Sequence, residues 1–75
     1  MKVLDFKVIL EAETDGGYVV VCPAIPGCYS QGDTLEEAMR NIKEAIDLCI
    51  EDMKKHNEKL PDTSREFVGS VLVKV

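Results

Sequence analysis

A chain of 75 residues has room for one domain, residues 1–75, and lies near the lower limit for a free-standing hydrophobic core. Fourteen acidic residues against nine basic ones give a net charge of -5, the wrong sign for neutralising nucleic-acid phosphates. A hydrophobic content of 45% excludes a disordered chain, and a core this small predicts self-association or a partner, with basic partners favoured. There is no Trp, and Phe6, Phe67, Tyr18 and Tyr29 are too few to build a stacking platform for single strands. Cys22, Cys28 and Cys49 are an odd set, the N-terminus lacks the pattern of a signal peptide, and no apolar run has membrane-spanning length. A reduced, cytoplasmic protein is expected.

Leu4, Phe6, Val8, Leu10 and Ala12 share one parity, while Asp5, Lys7, Glu11 and Glu13 share the other, the alternation of a half-buried strand. Thr14-Asp15-Gly16-Gly17 predicts a tight hairpin, with positive φ supplied at Asp-Gly. Tyr18 to Cys22 is apolar or amphipathic throughout, which predicts a central strand covered on both faces. Pro23-Ala24-Ile25-Pro26-Gly27 interrupts the sheet, and Cys28 to Gln31 forms a short third strand that Gly32 breaks.

Thr34 and Glu37 stand at capping-box spacing, and Glu36 and Glu37 complement the positive end of a helix dipole. From Leu35 to Met53 apolar residues recur at three- and four-residue steps, with Leu48 off the stripe. Leu60-Pro61-Asp62 is expected to end the helix and Thr63-Ser64 to form a linker. Arg65 to Val75 alternates again and predicts a last strand. The order is β-β-β-α-β, an α+β fold with one helix packed on a mixed sheet, the last strand lying parallel to the first. One helix covers one face, so Ile9, Val19, Val21 and Val68 or Leu72 would leave the other face apolar.

Catalytic groups are scarce. His56, the sole histidine, lies among Lys54, Lys55, Asn57 and Glu58 at the helix tail, where a solvated ring is expected rather than a general base. Cys22 and Cys28 are spaced too widely for a zinc knuckle and Cys49 lies on the helix stripe, so the thiols read as small hydrophobes. Cys28, in the loop, is expected to be more exposed but without a neighbouring cation to activate it. The strand order is also that of the ribonuclease-H core, whose enzymes hold two metal ions between carboxylates. Asp5, Glu11 and Glu13 alternate along a strand and the other acids fill the helix's polar side, so no convergence is expected. No enzyme activity, metal or cofactor follows from the residues. A metal-dependent nuclease and a stand-alone regulatory module are the competing readings.

Gly17-Tyr18, Pro23, Ile25-Pro26-Gly27-Cys28, Gln31-Gly32-Asp33-Thr34, Glu36-Glu37-Ala38 and Asn41 with Glu44-Ala45-Ile46 together resemble the HicB-like antitoxin family of type II toxin–antitoxin systems. Phe6 to about Cys49 carries the likeness, and Ala24 departs from the acidic residue frequent there. The resemblance implies a degenerate, partial ribonuclease-H-like fold that has lost its nuclease carboxylates. It implies a small, basic, HicA-type mRNA ribonuclease as partner, neutralised by binding, and a homodimer or higher oligomer. The C-terminal DNA-binding domain of many members has no counterpart before Val75, so a short form without DNA binding is expected. Tyr18, Ile25, Pro26, Cys28 and Tyr29 are the candidate partner-contact residues.

Overall fold

A computed structural model describes residues 2–75; Met1, counted in the expected domain, lies outside the described residues. Strands β1 (Ile9–Ala12), β2 (Tyr18–Val21) and β3 (Tyr29–Gly32) form one antiparallel sheet in that order, followed by helix α1 (Leu35–Lys55) and a 3-10 turn at Thr63–Arg65. Strand parity assigns the faces. Val20 and Cys22 turn toward α1 and are buried, whereas Ile9 and Val21, paired across β1 and β2, turn away from it.

The β1–β2 hairpin is tight, as expected, but differs in where positive φ falls. The Gly16 N–H donates to the Glu13 carbonyl at 3.2 Å, and the Glu13 N–H donates to the Gly17 carbonyl at 3.0 Å. Positive φ falls on Gly16 (99°) and Gly17 (82°), not on Asp15. This is a three-residue connection, in which a β-turn is followed by a left-handed glycine that restores strand pairing. After β2, two turns share Ile25: its N–H donates to Cys22, and its carbonyl accepts from the Cys28 N–H at 3.0 Å. Pro26 and Gly27 occupy the centre of the second turn, with Gly27 at φ 79°, as a type II turn requires. The loop thereby folds Ile25 back into the core.

Helix α1 begins as expected. Thr34 is the N-cap and its Oγ1 accepts the Glu37 N–H at 3.1 Å, while the Glu37 carboxylate accepts the N–H of Asp33 rather than that of the cap itself. Thr34→Ala should lower unfolding stability by about 1 kcal/mol in urea titrations, with the helix retained. The other end is corrected. Asn57, at φ 54°, closes the helix before Leu60-Pro61 is reached, with Glu58 N–H bonded to Met53 C=O and Asn57 N–H to Lys54 C=O. A short amide side chain tolerates the left-handed conformation, so Asn57 does what glycine commonly does.

The core comprises Val20, Cys22, Ile25, Cys28, Ala38 and Ile42, with Phe6, Val8, Leu10, Ile46 and Ile50 around it. Thr63-Ser64 is not a plain linker: Asp62 accepts from the Ser64 N–H and hydroxyl, and Thr63 is buried. The larger correction concerns the last strand. Lys7 N–H bonds the Glu66 carboxylate at 3.3 Å, but residues 67–75 then leave the body with no strand pairing, and the described sheet has three strands, all antiparallel. Alternation records that a segment suits two unlike surroundings; it does not provide the neighbouring edge whose N–H and C=O groups make it a strand.

Candidate protein-docking face

The expectation that β2 would be covered on both faces holds for one of them. Ile9, Val21 and Tyr29 stand opposite one another in a single cross-strand row on the face away from α1. Their exposures of 50%, 38% and 69% leave a continuous apolar bar across the middle of the sheet. In the next row along, Glu11 and Gln31 flank a half-buried Val19, so polar side chains stand at both ends of the row beside the bar. Neighbours within such a row lie about 4.5–5.5 Å apart, close enough for a partner's side chain to touch two at once. A central apolar strip with a polar rim has the composition of a protein contact surface rather than of a small-molecule pocket.

The five sequence candidates divide. Tyr29 is exposed within the bar, and Pro26 is exposed on the adjoining loop. Ile25 and Cys28 are buried, and Tyr18 is half-buried on the α1 side of the sheet, paired with Ala12 and Gly32. Ile9 and Val21 complete the bar, and strand parity carried their signal: both fall on the face opposite to Val20 once the register is known.

The polar chemistry lies elsewhere. His56 is solvent-exposed at the end of α1. The Asp52 carbonyl, 2.9 Å from Nδ1, and then the Asp52 carboxylate raise its pKa above the ordinary value. Asp5 pairs with Lys7, Glu11 borders the bar, and among the described residues no group of three His, Cys, Asp or Glu side chains converges as metal ligands would.

The cysteines do approach one another, which spacing alone had not indicated. Cys28 is within reach of Cys49 and Cys22, and burial, followed by the Cys49 thiol, pushes Cys28 up to about 11 from an ordinary 9.0. Burial also raises Cys22. A raised thiol is a poor nucleophile, so the cluster is packing. The linkage has a definite sign. Below the ordinary 9.0 both folded and unfolded thiols are protonated; between 9.0 and about 11 the unfolded chain ionises first and folding stability falls. Urea midpoints across this window should drop by the equivalent of on the order of 3 kcal/mol, and Cys28→Ala should remove that part of the slope.

Comparison with known sequences adds a family to this geometry. The family model described as HicB-like antitoxin of bacterial toxin-antitoxin system matches residues 6–69. The chain is 52% identical over 65 residues to a UPF0150 protein of Thermoplasma acidophilum, covering 87% of this chain and 94% of that one. It is 48% identical over 60 residues to a UPF0150 protein of Synechocystis, covering 80% and 76% of the two chains. A UPF0150 protein of Archaeoglobus fulgidus is 40% identical over 72 residues, or 96% of each chain.

Proposed function

The chain belongs to the HicB-like antitoxin family of bacterial toxin–antitoxin systems, and from that premise we propose that it binds and neutralises a small, basic, HicA-type mRNA ribonuclease. The family match over residues 6–69 carries the reading, and the exposed apolar bar supports a protein contact on the open face of the sheet. Ile9, Val21 and Tyr29 would form the centre of the contact, with Pro26 beside them. Ile25, Cys28 and Tyr18 would shape that surface from behind. A net charge of -5 draws in a basic toxin and speeds encounter. Neutralisation here needs no bond cleavage: a bound protein that covers a nuclease site is sufficient, and this accords with a non-catalytic, cytoplasmic role. The order of three antiparallel strands and a helix supports a partial ribonuclease-H-like ancestry.

Co-expression with a neighbouring small basic reading frame tests the proposal. Growth rescue and co-purification are expected. Val21→Asp should weaken the complex by about 100-fold or more while leaving the far-ultraviolet spectrum unchanged, because it buries a charge in the contact. A toxin neutralised equally well by the variant would remove the bar from the interface, and failure to form any complex would remove the antitoxin reading. Loss of self-association with unchanged toxin affinity would reassign the bar to a second copy.

A further inference from the structure

We propose that residues 67–75 are an exchanged strand, which pairs with the outer edge of β1 in a second copy of this chain. The segment is built to be covered: Phe67, Val71, Val73 and Val75 make one side wholly apolar, and Val68 and Leu72 add to the other. Yet Val71 is 85% exposed and Leu72 is 101% exposed, so these side chains meet almost nothing of their own chain. Six apolar side chains on each copy, at about 100 Å² apiece, would bring a pair near the ~1,200 Å² at which stable interfaces begin. This second-copy contact is independent of what the Ile9–Val21–Tyr29 bar binds.

The receiving edge is equally specific. Glu13 donates its N–H to Gly17, which fixes the odd-numbered residues of β1 as those bonded to β2. Leu10 and Ala12 therefore aim their N–H and C=O groups outward, at an edge with no neighbouring strand among the described residues. The opposite edge of the sheet is less available, because Asn41 Nδ2 donates to the Gln31 carbonyl at 2.7 Å.

Beside β1 lies an apolar groove. Helix α1 packs over β2 and β3 rather than over β1, leaving a channel between the N-terminal segment and the helix that is lined by Leu4, Phe6, Val8, Ile46 and Ile50, together with charged side chains that include Lys43, Asp47 and Lys54. A strand added at the β1 edge would direct its alternate side chains into this channel. The wholly apolar parity of the segment suits the channel, while Val68 and Leu72 would extend the open face next to Ile9. The segment's own chain anchors it at Glu66, against Lys7 just ahead of β1, and then parts from the body. Reciprocal exchange covers both tails and both edges with one two-fold contact.

Sedimentation velocity on the full chain, joined with isotope-filtered NMR on a refolded mixture of labelled and unlabelled copies, tests this. A species of twice the 8.3 kDa chain mass is expected, with intercopy contacts between the methyls of Val71 or Val73 and those of Val8 or Leu10. Val71→Pro removes a ladder donor and Val73→Asp places a charge in the channel. Each should raise the dimer dissociation constant about 100-fold with the helical signal unchanged. A monomer at all accessible concentrations overturns the proposal, as do contacts found solely within one copy, where the tail would have folded onto its own β1. A dimer indifferent to both substitutions overturns it as well.

Discussion

Gly32→Ala is expected to remove a large share of the chain's unfolding stability. A Cβ on Gly32 would stand 2.5 Å from the Ala38 nitrogen, 2.9 Å from the Ala38 Cα and 2.9 Å from the Glu37 carbonyl carbon. These are backbone atoms in the first turn of α1, so no side-chain rotation relieves the clash; the helix itself must lift from β3. Overpacking of this kind costs about 1–3 kcal/mol and occasionally more. A core of this size rarely supplies more than about 3–5 kcal/mol, so the loss consumes most of it. Moving α1 also strains the Thr34 cap and the Asn41–Gln31 bond, which fix the same junction. Far-ultraviolet circular dichroism with urea titration measures the effect. A Gly32→Ala midpoint within experimental error of the parent would disprove the close approach.

Ile42→Ala should be at least as damaging, by the opposite mechanism. Ile42 is 1% exposed and packs in the cluster with Val20, Cys22 and Ala38, so truncation removes apolar contact and leaves a cavity. Such deletions cost about 2–5 kcal/mol, depending on how far the surroundings collapse. Leu48, on the same helix but 62% exposed, should change stability by less than about 0.5 kcal/mol when replaced by alanine. The pair separates burial from helix propensity, because both substitutions put alanine in a helix interior. Equal losses at the two positions would mean that the Leu48 face is covered in solution, and sedimentation of the Leu48→Ala protein would then reveal the contact.

Much of the architecture was legible because it is local. Thr34 and Glu37, three residues apart, can meet only if a helix starts there, and the apolar stripe behind them needs no distant information. The alternation leading into the Asp15-Gly16-Gly17 turn required a hairpin, although only Ile9–Ala12 of the run from Leu4 pairs as a strand, and Pro26-Gly27 required a reversal. Gly32 was legible as special but for the wrong reason. It lies within β3 at an ordinary φ, and its value is the absent Cβ that lets α1 sit against the sheet. A backbone-to-backbone distance between two elements is not encoded in either one alone.

Composition, strand parity, capping and the family resemblance were thus properties of the amino-acid string itself: each depends on neighbours within a few residues, or on a pattern matched position by position. The tertiary structure decided the rest. It showed that Ile25 and Cys28 point inward while Ile9, Val21 and Tyr29 line up outward, that the three thiols converge, and that residues 67–75 find no edge in their own chain. Those outcomes turn on register and on which surface arrives opposite which, and a periodic pattern is compatible with either face until a second strand selects one.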